Sequence, residues 1–213
     1  MRTARPRRLV ALVGGSGAGK SWLADRLQRA LGADAGRLSL DDFYYDRSHL
    51  PPKRRANVNF DHPRAIDWRS VERALKECRR GRTVRLPRYE FASHTRRPKP
   101  EPWRPKTLIL MDGLWLLRRP AVRRLFDLRI FVEAPPRLRF RRRLARDVAE
   151  RGRSPAAARR QFFQTVAPMH DRFVAPQARW ADLRLRRPPD EKAVRQLAAR
   201  LRALLTPNRH VHG

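Results

Sequence analysis

At 213 residues the chain is long enough to bury one substantial core, and a content of 41% apolar and 33% charged residues excludes wholesale disorder. A formal charge of +31 points first to an anionic partner, but the basic residues, mostly arginine, are scattered from Arg2 to Arg209 with no aromatic-interleaved block. That pattern argues for solvated basic faces over a nucleic-acid platform. No apolar run nears the roughly eighteen residues of a membrane span, and a lone Cys78 fits a reducing, cytoplasmic setting better than a disulfide framework.

In chain order, Met1–Arg8 is basic, but the apolar stretch Leu9–Val13 is too short for a secretory signal and runs into glycine. That stretch, LVALV, is expected to form a strand buried on both faces of a parallel sheet. Gly14–Ser21 reads GGSGAGKS and satisfies G-x-x-x-x-G-K-[ST] at every fixed position. The spacing of Trp22, Leu23, Leu27, Ala30 and Leu31 predicts a helix over Lys20–Leu31, stopped by Gly32. Leu38–Leu40 reads as a second short strand leading into Asp41 and Asp42, and Trp68–Cys78 as a helix closed by Gly81.

Thr83–Phe91 alternates like a strand and Arg96–Pro105 is rich in proline, together a hairpin flap at about 83–105. Thr107–Met111 and Leu128–Val132 read as further buried strands, Arg137–Ala149 and Ala156–Phe173 as helices. Leu183–Leu185 is a last strand and Glu191–Leu205 an amphipathic helix. The stretch 206–213 reads as a frayed tail, so His210 and His212 are given no metal role. Strands alternating with helices predict a three-layer α/β fold. The expected architecture is a single P-loop NTPase domain over 1–205, resembling nucleoside monophosphate kinases, with a central parallel sheet, the flap and an arginine-rich lid at about 146–160.

The glycine loop has a direct chemical reading. Gly14, Gly15, Ser16, Gly17, Ala18 and Gly19 let backbone N–H groups converge on phosphate oxygens, and the following helix adds its positive end. Lys20 is placed to reach the outer phosphates and Ser21 to offer a hydroxyl to Mg²⁺, so the expected ligands are Mg²⁺ and a nucleoside triphosphate, with ATP and GTP unranked. Phosphoryl transfer to an alcohol also needs a base. Asp41 follows an apolar strand expected beside the loop strand and is the first candidate, close enough to the phosphates to share in metal binding; Asp42 is second. Asp112, at the end of the strand Leu108–Met111, stands where a Walker B acid would hold the metal.

Beyond this loop the chain reads LSLDDFYYDRSHLPP, NFDHPRAID, PRYEFASHTR, DGLW, RRRLARDVAERGR with Gln161 eight residues later, and VAPMHDRFVAPQARWADL. In this order and spacing it resembles the uridine kinase family over roughly 9–188. The resemblance implies ATP-dependent phosphorylation of the 5′-hydroxyl of uridine or cytidine, with Asp41 as base. It implies that Tyr44, Tyr89, Phe91 and His94 line the nucleoside base pocket, that Asp61 and Arg143 hold the ribose, and that Gln161 faces the nucleoside. It also makes a homotetramer plausible. The chemistry agrees: a carboxylate can accept both hydrogen bonds of a cis-diol, aromatic faces stack on a flat ring, and a histidine can donate or accept according to its tautomer.

Arg143 and Arg146 share a helix face, and Arg151 and Arg153 flank Gly152 in a segment expected to close as a lid. Arg146 and Arg151 are assigned to the phosphates and transfer, Arg153 to the acceptor side; Arg141 and Arg142 are set aside as a solvated face. The chain departs from the family at Asp112, where glutamate is usual, at Asp42, where a small polar residue is common, and at Trp180, where tyrosine is common. Two other readings stand beside this one. One is a P-loop kinase for pantothenate, nicotinamide riboside or ribulose phosphate; the other is a basic nucleic-acid-binding protein that carries ATP as a regulator.

Overall fold

A computed structural model describes residues 7–56 and 58–205, so the predicted tail with His210 and His212 lies outside the described residues. Strand β1 (Arg8–Gly14) runs through the glycine loop into helix α1 (Lys20–Leu31), whose bounds agree with the apolar spacing. Strand β2 spans Ala35–Ser39, not Leu38–Leu40. Leu40 instead opens a 3₁₀ turn, Leu40–Phe43, because the Ser39 hydroxyl accepts the Asp41 amide at 3.2 Å and caps it. A short helix α2 (Pro52–Ala56) has no counterpart in the sequence reading, and α3 (Trp68–Arg79) starts at Asp67, whose Oδ1 accepts the Ser70 amide at 3.1 Å.

The strand expected over Thr83–Phe91 is two pieces. Strand β3 (Val84–Leu86) would continue into β4 (Tyr89–Glu90) but for Pro87, which has no amide hydrogen to give a ladder. The two pieces therefore take different antiparallel partners, β4 pairing with β5 (Thr95–Arg96) and β3 with β6 (Glu101–Trp103). Then come β7 (Leu108–Gly113), α4 (Pro120–Arg123), β8 (Leu128–Val132), α5 (Pro136–Ala149) and α6 (Pro155–Gln161). The regular helix expected over Ala156–Phe173 is also broken: wide π turns at Phe162–Val166 and His170–Val174 flank α7 (Ala167–Met169). Pro168 lacks a donor and its ring displaces the carbonyl four residues back, so the ladder widens around it. Strand β9 (Leu183–Leu185) and helix α8 (Glu191–Leu205) close the chain as expected.

Five parallel strands form one sheet in the order β2-β7-β1-β8-β9. The alternation of β1 splits the core into two layers. Leu9, Ala11 and Val13 pack with Ile109, Met111 and the α3 residues Val71, Leu75 and Cys78; Val10 and Leu12 pack with α1 and α8 through Leu23, Leu27, Leu197 and Leu201. Each such leucine contributes about 2 kcal/mol of apolar burial. Cys78 belongs to this core, and burial pushes its thiol up to about 12, so it is a packing residue with no thiolate chemistry. No helix among the described residues is long and apolar enough to cross a membrane.

Register brings the chemistry to one edge. Leu12 and Ser39 both pair with Asp112, so the carboxyl ends of β1, β2 and β7 lie together, where ligands bind in open α/β sheets. Gly113 is required here, since a Cβ would sit 2.5 Å from the Leu40 Cβ. Buried Gln177 ties the irregular 162–180 segment to this edge: its Nε2 donates to the Leu114 and Phe173 carbonyls at 2.8 and 2.9 Å, and its Oε1 accepts the Leu117 amide at 3.0 Å.

Candidate active site

A cleft of about 240 Å³ opens along that edge. At its floor the loop turns through Gly17 at φ 78° and Gly19 at φ 100°, left-handed positions that favour glycine; a Cβ on Gly17 would also lie 2.4 Å from the Arg139 carbonyl. Ser16, Gly17, Gly19, Lys20 and Ser21 line the cleft, while Gly14, Gly15 and Ala18 form the wall behind it. The Lys20 ammonium donates to the Gly15 carbonyl at 2.9 Å. Burial pulls it down to about 8, against the charges of Asp112 and Asp41, which hold it up. Ser21 donates to Asp112 Oδ2 at 2.8 Å, and the other oxygen of Asp112 accepts from Arg37 Nε at 3.0 Å. This hydroxyl–carboxylate pair is a hard oxygen donor set of the kind Mg²⁺ takes when phosphates and water complete its shell.

Asp41 lines the same cleft as the loop residues. Burial, and next the charge of Asp112, raise its pKa above the usual carboxylate value, only partly offset by Arg151, Lys20 and Arg146. Asp42 points elsewhere: it accepts from Arg88 at 3.0 Å and from the Tyr89 amide at 3.4 Å, so it anchors the flap and is no second base.

Beyond Asp41 the cleft is an aromatic chamber. Tyr44 lies 5.0 Å from Tyr89 and edge-on to Phe91 at 6.3 Å, and its hydroxyl donates to the Phe60 carbonyl at 2.9 Å. His94 sits in the turn between β4 and β5 at φ 54°, a conformation uncommon for a residue other than glycine. Its ring stacks on Phe60 at 4.3 Å and 8°. Burial, with Arg153, Arg151 and Arg55 nearby, lowers its pKa, so the imidazole is neutral at pH 7 and able to donate at one nitrogen and accept at the other.

Between chamber and loop, buried Arg143 donates to Ser16 Oγ at 3.1 Å, Asp61 Oδ1 at 3.3 Å and Gln161 Oε1 at 3.2 Å. Apart from Asp42, the site residues read from the sequence thus line the cleft or form the loop behind it. Four features were missed. Arg142, set aside as solvated, is exposed like Arg141 but lines the cleft and approaches the Gly17 carbonyl at 3.4 Å, whereas Arg141 does not line it. Phe60 gives no sequence signal beyond its place before Asp61. Arg37 becomes a partner of Asp112 only through strand register. Asp147 is fully buried and gathers Arg143, Arg146, Arg151 and Arg153 within 3.1, 2.8, 3.6 and 3.7 Å; its place four residues after Arg143 on α5 was the available clue.

Behind the loop, His170 Nδ1 has no hydrogen-bond partner among the described residues, and burial followed by the Arg139 charge pushes the imidazole down to about 4. An unfolded chain titrates near 6.5, so between pH 6.5 and 4 the unfolded state binds more protons and stability falls as pH drops. The loss is roughly 2 kcal/mol after allowing for partial exposure. Replacing His170 with Phe is expected to flatten this acid slope, read from urea midpoints at pH 7 and 4.5. An unchanged slope would place the acid sensitivity elsewhere.

Residues 9–194 match the model of the phosphoribulokinase / uridine kinase family. The chain is 39% identical over 176 residues to a uridine kinase of Chloroflexus aurantiacus, covering 82% of this chain and 84% of that one. It is 36% identical to a uridine kinase of Staphylococcus aureus, covering 82% and 85%. Its fold is similar to that of phosphoribulokinase from Rhodobacter spheroides, with a TM-score of 0.63 and 18% identity over 85% of this chain and 70% of that one. A phosphate loop, the half-buried carboxylate of Asp41 lining the same cleft and this breadth of similarity make the chain a P-loop kinase that belongs to the phosphoribulokinase / uridine kinase family.

Proposed function

We propose that this kinase transfers the terminal phosphoryl group of ATP to the 5′-hydroxyl of uridine or cytidine, a pyrimidine salvage reaction. The observation that carries the reading is Asp41, a carboxylate of raised pKa set between the phosphate loop and a chamber of Tyr44, Tyr89, Phe91 and His94. The names of its relatives, uridine kinases of Chloroflexus and Staphylococcus, point the same way.

In this reading Asp41 accepts the proton of the attacking hydroxyl, and its raised pKa makes it a better base than an exposed aspartate. Ser21 and Asp112 would hold Mg²⁺, which when bound neutralises charge on the phosphate oxygens. Lys20, Arg146 and Arg151 meet the charge that spreads over the transferring group. Asp61, oriented by Arg143, accepts from the ribose hydroxyls, and Gln161, which accepts from the same Arg143, faces the nucleoside. The aromatic faces take the flat base, and neutral His94 reads its polar edge in either tautomer. Residues 1–205 work as one catalytic unit, with about 83–105 as the flap and about 146–160 as the lid, whose Arg151 and Arg153 flank Gly152 at φ 62°.

The test is a panel of acceptors with Mg·ATP, scored for ADP and for the phosphorylated product. Uridine and cytidine are expected to turn over well above pantothenate, nicotinamide riboside and ribulose phosphate. Turnover of one of those alcohols with none of any pyrimidine nucleoside would end this assignment.

A further inference from the structure

Arg139, on α5, is 4% exposed, and its Nε and Nη1 are buried with no hydrogen-bond partner among the described residues. It makes no ion pair there, and the opposing charge it feels is that of Asp171. Arg139 is pressed against the phosphate loop through side chain and backbone: a Cβ on Gly15 would lie 2.8 Å from Arg139 Nη1, and one on Gly17 would lie 2.4 Å from the Arg139 carbonyl. On the other side, Lys20 donates to the carbonyl of that same Gly15 at 2.9 Å. Two buried cations thus flank one peptide of the loop.

The two differ in an important way. A buried lysine can relieve its desolvation by giving up a proton, and Lys20 is already drawn down to about 8. A guanidinium keeps its charge at any physiological pH, so Arg139 bears a desolvation that the charge of Asp171 offsets only in part, unless a further anion comes near. The anion that this loop is built to receive is a phosphate chain.

We propose that Arg139 is a positioning residue for the phosphate chain, a fixed charge behind the loop that tightens its hold on polyphosphate and destabilises the ligand-free fold. It acts across the Gly15–Gly17 backbone and does not reach the cleft itself. The inference concerns the donor end alone and does not depend on which alcohol is phosphorylated.

The experiment compares the full-length parent with Arg139→Met, similar in length and neutral, and Arg139→Lys, which keeps the charge. Thermal unfolding of the ligand-free proteins is combined with calorimetric titration of ATP and of inorganic tripolyphosphate, without acceptor, at low and high salt. For Arg139→Met the expected result is a melting temperature above the parent's and affinity for both ligands weaker by about tenfold at low salt. That gap narrows at high salt, and Arg139→Lys keeps most of the parent affinity. Parent-like binding of ATP and tripolyphosphate by Arg139→Met would overturn the proposal. So would an Arg139→Met protein that melts lower or fails to fold, because Arg139 would then be a packing element.

Discussion

Asp41→Asn is expected to reduce turnover of the nucleoside between about a hundredfold and ten-thousandfold while leaving ATP binding within a few-fold of the parent. An amide has nearly the shape of the carboxylate, and the Ser39 hydroxyl that caps this turn bonds to the Asp41 backbone amide, so the local fold keeps its support. What is lost is the proton acceptor. The pH profile carries a second signature: burial and the neighbouring Asp112 raise the pKa of Asp41, so the acid limb of kcat/KM in the parent lies above the usual carboxylate range and disappears in Asp41→Asn. Steady-state turnover with uridine, paired with calorimetry for ATP, checks both halves. A variant that keeps a tenth or more of parental kcat would remove Asp41 from the base role.

The second large effect belongs to a residue that touches no substrate in this reading. Asp147 is 0% exposed and holds the four guanidiniums of Arg143, Arg146, Arg151 and Arg153. Burial alone would raise its pKa, but the arginines, Arg143 foremost, outweigh that and hold it below the ordinary value. A depressed carboxylate pKa means that the stabilisation is present above pH about 4 and is lost as pH falls through the folded-state value. Asp147→Asn removes this charge at neutral pH and leaves four crowded cations, of which Arg143 alone keeps an ion-pair partner in Asp61 among the described residues, a loss of about 3–5 kcal/mol by analogy with broken buried ion pairs. Because Arg146 and Arg151 would then splay, KM for ATP is expected to rise and kcat to fall, by about a hundredfold together in kcat/KM. Denaturant unfolding and kinetics at saturating and limiting ATP separate stability from transfer. Parental stability together with parental kcat/KM would show that the arginines hold their places without this anchor.

Where the sequence was misread, the cause lies in single residues that interrupt a pattern. Pro87 divides a stretch whose alternation predicts one strand, and Pro168 widens a helix whose apolar spacing is otherwise regular. In both cases apolar periodicity reports which face is buried but says little about where a missing amide hydrogen will break the ladder. Arg142 shows the same weakness among charges: it is exposed like Arg141, and only the docking of α5 against the loop brings its guanidinium to the Gly17 carbonyl.

The chain's own order of residues determined the phosphate loop and the five parallel strands, because each depends on local rules: glycine at left-handed positions, lysine and serine at a helix start, apolar runs of strand length. The acceptor-side residues Tyr44, Asp61, Tyr89, Phe91 and His94 were legible only through resemblance to a family, and Phe60 and Arg142 were not legible at all. Tertiary structure alone decided that Asp41 lines the cleft with the loop while Asp42 turns to the flap, that Arg37 meets Asp112, that Asp147 collects four arginines, and that Arg139 Nε and Nη1 have no hydrogen-bond partner among the described residues. Those outcomes follow from strand register and from the angle at which α5 packs. Both are set by contacts between residues far apart in the chain, on which spacing along the sequence is silent.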